Sequence, residues 1–197
     1  MTYVANRTKG RDGAPLFLTF HGTGGNEHQF HGFAQELMPD AHVVSPRGDV
    51  SEHGALRYFR RTGEGVYDME DLALRTKAMT DFIRQEMEAT NASRVIGLGY
   101  SNGANVLASV MLSTPKLVDE AVLLHPLIPW APTPQTGLAG RRVLITAGER
   151  DPICPAPETQ RLIDFLESQD VDLTGHWHPG GHEIQPSEIA AVQDFLS

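Results

Sequence analysis

Ser101 stands in Gly99-Tyr100-Ser101-Asn102-Gly103, a G-x-S-x-G pattern preceded by the apolar run Val95-Ile96-Gly97-Leu98 and followed by Ala104-Asn105-Val106-Leu107. In that pattern the serine occupies a strained turn between a strand and a helix, and the flanking glycines remove Cβ atoms that would collide there. Its Oγ then projects above the sheet, beside the positive end of the following helix. A serine hydroxyl becomes a useful nucleophile only when a histidine takes its proton, and the histidine needs a carboxylate to fix its tautomer. Both partners follow in chain order. Asp151 leaves the run Leu144-Ile145-Thr146-Ala147-Gly148-Glu149-Arg150, with Pro152 stiffening the turn, and His182 closes Trp177-His178-Pro179-Gly180-Gly181-His182. The chemistry these three could perform is acyl transfer. Its tetrahedral intermediate needs hydrogen-bond donors, each worth ~10²–10³ in rate. The glycine-rich His21-Gly22-Thr23-Gly24-Gly25 supplies one in the Thr23 N–H, and Asn102 supplies the other.

The elements that must position these residues alternate in type. β-rich apolar runs fall at 15–20, 41–45, 94–98, 120–125 and 142–147, with a weaker one at 172–178. Near-continuous apolar strands are those of a parallel sheet covered on both faces. Helical patterns fall between them at 26–37, 69–89, 103–113, 156–168 and 186–196, the last opening on Pro186, a first-turn residue. This alternation predicts a doubly wound α/β fold over 1–197 as one domain, a mostly parallel central sheet with helices on both faces. Ser101, Asp151 and His182 then share the C-terminal edge of the sheet. Two connections read as long irregular loops, 47–67 and the proline-rich 126–140.

The chain resembles an α/β-hydrolase of the carboxylesterase and phospholipase family, which includes acyl-protein thioesterases and small bacterial esterases. The resemblance spans nearly the whole chain through HGTGGNE at 21–27, FRRTGEGVYDMEDL at 59–72, GYSNGAN at 99–105, AGERDPICP at 147–155 and HPGGHEI at 178–184. FRRTGEGVYD is most similar to a bacterial branch with hydrolases linked to hydroquinone or catechol metabolism. The resemblance implies a serine carboxylesterase that forms an acyl-enzyme on Ser101 and acts on a small-molecule ester. Asn102 departs from the glutamine usual in acyl-protein thioesterases, which leaves the backbone donor intact but changes side-chain contacts to substrate. Dienelactone hydrolases share the fold and resemble the chain less, because they carry cysteine at the elbow. Two alternatives use the same scaffold: a thioesterase acting on acyl-protein or acyl-coenzyme A, and a small-molecule-binding module without turnover.

About sixteen residues separate the run ending at His125 from the one starting at Arg142, too few for a lid domain. The pocket is therefore expected to be open and shallow, lined by Leu127, Ile128, Trp130 and Ile153, with His125 beside it and Phe59 and Arg60 contributing from the 47–67 segment. His178 is the rival base, one loop too early. Cys154 reads as a packed thiol. His28 and His31, three apart, lack a third ligand, so no metal is inferred. Gly97-Leu98-Gly99 misses the dinucleotide spacing and no Gly-Lys-Ser/Thr follows the glycines at 22–25, so no cofactor is inferred either. The formal net charge of −9 disfavours nucleic acid. One cysteine allows no internal disulfide, no apolar run reaches the ~18 residues of a membrane span, and the first ten residues lack a leader's apolar core, so the chain is read as cytoplasmic. An exposed apolar rim would suit a homodimer.

Overall fold

The computed structural model describes residues 3–197. The main sheet is built from β1 (Ala5–Thr8), β2 (Leu16–Phe20), β3 (His42–Pro46), β8 (Val95–Tyr100), β9 (Glu120–Leu124), β10 (Arg142–Gly148) and β11 (Asp172–His178). Its strand order is β1-β3-β2-β8-β9-β10-β11. All neighbours run parallel except β1, which pairs antiparallel with β3 in the register Ala5 opposite Pro46. This is the α/β-hydrolase fold.

Alternate side chains of each strand serve opposite faces, as the pleat requires. Phe17, Ile96, Leu98, Val122 and Leu144 pack with Ala34 of α1 (His31–Leu37) and with Val192 and Phe195 of α5 (Pro186–Leu196). Leu16, Leu18, Val95, Leu123, Val143 and Ile145 pack on the other side with α2 (Met69–Thr90), α3 (Asn102–Ser113) and α4 (Ala156–Glu167). Every residue of α3 from Asn102 to Leu112 is buried, so the helix behind the elbow is held on all sides.

Three features differ from the sequence reading. β1 escapes it because Ala-Asn-Arg-Thr is polar, which an edge strand paired on one side tolerates. The 47–67 segment is not irregular: it folds into two antiparallel ribbons, β4 (Val50–Glu52) with β5 (Ala55–Arg57) and β6 (Arg61–Gly63) with β7 (Val66–Tyr67). The first ribbon turns at His53 and Gly54, both at positive φ (51° and 90°), the requirement of a two-residue hairpin. Helix α1 starts at His31 rather than 26, because Asn26 accepts from the His28 and Gln29 N–H groups in a turn. The 125–141 connection holds one 3-10 turn, Thr136–Leu138, and no lid domain.

Because β2, β8, β9, β10 and β11 run parallel, the loops that leave them open on one edge. Those loops carry Thr23, Ser101, His125, Asp151 and His182 respectively. Among the described residues no helix is long and apolar enough to cross a membrane.

Candidate active site

Ser101 adopts φ 52° and ψ −117°, a sparsely populated conformation for a residue with a side chain. It is locked there from both ends: its N–H donates to Leu124 O at 2.9 Å and its O accepts from Asn105 N at 3.0 Å. The glycines on either side permit the packing. A Cβ on Gly103 would lie 2.3 Å from Phe20 O, and one on Gly99 would lie 2.6 Å from the Gly103 backbone, so helix α3 can approach β2 and β8 this closely only without them.

Ser101 Oγ lies 2.9 Å from His182 Nε2, and His182 Nδ1 lies 2.7 Å from Asp151 Oδ2. An ionised carboxylate only accepts, so Nδ1 carries the proton and Nε2 is left to accept from the serine hydroxyl. Burial works against the charge on Asp151. The N–H of Cys154 (2.9 Å), the His182 and His125 rings and the N–H of Ile153 (2.8 Å) outweigh it and hold the carboxyl below the usual range. The loop bearing His182 is pinned by Tyr100, whose O–H donates to His182 O at 2.7 Å while its ring lies 5.3 Å from the imidazole. Burial, reinforced by the Asp151 charge, pushes the Tyr100 phenol up to about 12, so it remains a donor. Tyr100 was not expected as a site residue. Only its place inside the elbow motif signalled it.

Behind the carboxylate lies a second layer that sequence reasoning missed. His125, expected beside the pocket, is instead 0% exposed, and its Nδ1 lies 2.9 Å from the same Asp151 Oδ2. Its Nε2 faces Glu188 Oε1 at 3.0 Å, and Glu188 is likewise 0% exposed. Thr146 Oγ1 donates to Glu188 Oε1 at 2.5 Å and Gln185 N to Oε2 at 2.6 Å, while His178 Nε2 comes within 3.2 Å of Oε2. His178 Nδ1 accepts from Gly180 N at 3.0 Å, so the proton of that ring sits on the Glu188 side. His178 thus faces away from Ser101. The two imidazole approaches to Glu188 lie off the ring N–H axes, so they are close polar contacts rather than linear hydrogen bonds. His125, His178 and Glu188 bring metal-binding atoms within 4.8 Å of one another, but both Glu188 oxygens already accept from Thr146 Oγ1 and Gln185 N.

The glycine-rich loop after β2 is braced from below. His21 Nδ1 donates to Gly22 O at 2.7 Å and its Nε2 accepts from Gly48 N at 2.9 Å. Tyr58 N donates to Asn102 Oδ1 at 2.7 Å, tying the ribbon segment to the elbow. Thr23 Oγ1 accepts from Arg57 at 2.8 Å. Among the described residues the Thr23 and Asn102 backbone N–H groups donate to nothing, and both residues line the cleft that contains Ser101.

That cleft encloses about 250 Å³. Leu127 and Ile153 line it as expected, joined by Tyr67, Arg57, Arg61 and Glu64 from the ribbons. Phe59 and Arg60 do not. Phe59 is buried beneath Tyr67, ring centroids 4.8 Å apart, and Arg60 turns outward to Asp68 and Asp71. The hairpin geometry reverses the segment, so Arg57 and Arg61, both held by Glu52, face the cleft in their place. Ile128 and Trp130 are also displaced, to a neighbouring groove beside α4. Asn105 holds the cleft wall: Oδ1 accepts from Leu127 N at 2.7 Å and Nδ2 donates to Tyr67 Oη at 2.8 Å. Cys154 is packed, its Sγ donating to His125 O at 3.2 Å, and burial together with Asp151 pushes its thiol upward.

The family described as dienelactone hydrolase matches residues 57–184. MhqD of Bacillus subtilis (strain 168), named as a hydrolase, is 37% identical over 182 residues, covering 91% of this chain and 91% of that protein. Among solved structures, the protein Atu2452 of unknown function from Agrobacterium tumefaciens str. C58 superposes with a TM-score of 0.94 at 55% identity, over 98% of this chain and 95% of that one. A Bacillus cereus carboxylesterase superposes at 0.93 with 36% identity, over 98% and 93%. The expectation that this family resembles the chain less, because its elbow carries cysteine, is corrected by a match whose range contains Ser101, Asp151 and His182.

Proposed function

The chain belongs to the dienelactone hydrolase family and is a hydrolase with carboxylesterase-like relatives; from that premise we propose that it cleaves small carboxylic esters through an acyl-enzyme on Ser101. The observation that carries this reading is the unbroken chain Ser101 Oγ, His182 Nε2, His182 Nδ1, Asp151 Oδ2, with gaps of 2.9 and 2.7 Å. His182 takes the hydroxyl proton as Ser101 attacks the ester carbonyl. The oxyanion is received by the Thr23 and Asn102 N–H groups, and His182 returns its proton to the leaving alcohol. Water, deprotonated by the same ring, then releases the acid. A cleft of about 250 Å³ without a lid suits short acyl groups in solution.

The test is labelling with a fluorophosphonate probe, followed by a panel of nitrophenyl esters of graded acyl length with one matched thioester. Covalent labelling at Ser101 and preference for short oxygen esters are expected, and Ser101→Ala lowers kcat by ~10⁴ or more. Wild-type turnover in Ser101→Ala would refute the mechanism. Tight ligand binding without labelling would point to a non-catalytic binding module, and faster turnover of the thioester to a thioesterase.

A further inference from the structure

The triad explains why Asp151 must be buried and charged, but it leaves His125, Glu188 and His178 unexplained. Burying a second carboxylate and a second imidazole is strongly unfavourable unless the charges are paired. Here they are paired in one particular order. Asp151 Oδ2 receives two rings, His182 at 2.7 Å and His125 at 2.9 Å, while the far nitrogen of His125 meets Glu188 at 3.0 Å. A neutral imidazole offers one donor and one acceptor, and here both nitrogens face carboxylate oxygens. Only a ring protonated on both sides avoids placing a lone pair against an acceptor. The remaining valences of Glu188 are filled by Thr146, Gln185 N and His178, so it has no need of a proton of its own.

Resting on the ester-cleaving reading above, we propose that His125 is a positioning residue for that reaction: an imidazolium clamped between Asp151 and Glu188 that holds the Asp151 carboxylate on His182 and draws part of its negative charge away from that ring. Burial alone would strip the proton from His125, but Glu188 and Asp151 outweigh it and hold the ring above its ordinary value. The groups facing His125 come from every element around it. They are Tyr100 of β8 (5.9 Å between rings), Asp151 and Cys154 after β10, His178 of β11 (5.4 Å), His182 beyond it (5.1 Å), and Glu188 of α5. The backbone contributes too: His125 sits at φ 51° with its N–H donating to Thr146 O at 2.9 Å, so the ring is aimed by a conformation that is itself costly.

Glu188→Gln preserves volume and one of the two accepting oxygens while removing the counter-charge, so His125 loses its second proton and Asp151 acts on His182 unshared. The acid limb of the kcat/KM profile then moves up by about one pH unit, with a plateau loss of no more than about tenfold. His125→Asn, which keeps one donor toward Asp151, shifts the limb the same way. Nitrogen-15 NMR of the histidine rings in unmutated protein reads the ionisation of His125 directly and needs no variant to fold: both nitrogens are protonated at pH 7, and one in Glu188→Gln. A neutral His125 in the unmutated protein overturns the proposal. So does an unmoved acid limb accompanied by lower kcat or Tm, which a merely structural pair would produce, or a stoichiometric divalent metal that Glu188→Gln abolishes. Failure of the ester-cleaving reading shows separately, as absent fluorophosphonate labelling in unmutated protein.

Discussion

The cleft wall that faces solvent and the wall behind His182 both carry charged pairs but are built differently. In front, Arg57 and Arg61 share Glu52; Arg57 is buried, while Arg61 and Glu52 keep 26% and 32% of their side chains exposed. Behind, Asp151, His125 and Glu188 form a line with no exposed side chain. Water reaches Arg61 and Glu52 and can replace a missing partner there, whereas a partner lost from the rear, or from the buried Arg57, leaves a buried charge uncompensated. The outer part of the front can therefore vary to suit a substrate, and the rear cannot.

The sharpest way to break this contrast is Asp151→Asn, which permits the wrong His182 tautomer. Steady-state kinetics should show a loss of ~10⁴ in kcat, and a loss below tenfold would mean the rear charge is dispensable. Next comes Gly103→Ala, whose new methyl would meet Phe20 O at 2.3 Å and His21 O at 2.5 Å, both backbone atoms that cannot swing aside. Urea unfolding should report a loss of about 3 kcal/mol. A smaller effect is the pH dependence of Tm. Asp151 and Glu188 titrate below their unfolded values, so their contribution is present above pH ~4 and is lost as pH falls through the folded values. His125 titrates above its unfolded value, so its contribution is full below pH ~6.5 and is lost as pH rises through the folded one. Tm should peak between, and Glu188→Gln should flatten both slopes. The smallest effect belongs outside the cleft: Arg60→Ala, at a side chain 60% exposed, should change kcat/KM less than about twofold and stability by ~0.5 kcal/mol or less. A large loss there would mean that exposed charges matter as much as the buried line.

The same division governs what the sequence reveals. The strands and helices that carry Ser101, Asp151 and His182 are legible because burial on both faces forces near-continuous apolar runs, and their order along the chain limits the partners. Strand β11 and helix α5 were bounded correctly at 172–178 and 186–196. The ribbons of 47–67 leave no such imprint. Their residues are mostly polar, and the orientation of each side chain depends on two short turns, so Arg60 reads as a pocket residue when Arg57 and Arg61 hold that place. His125 and Glu188 were hidden for another reason. They are 63 positions apart, and a lone histidine at a strand end reads as pocket lining until the fold brings the carboxylate to it.

The backbone of Ser101 also limits how this elbow can diversify. At φ 52° a β-branched side chain is strongly disfavoured, so threonine fits the position poorly even though it offers the same hydroxyl. Cysteine adds no branch and fits the same turn. Descent along this scaffold is thus free to exchange oxygen for sulfur at the reacting atom, but resists a methyl group beside it.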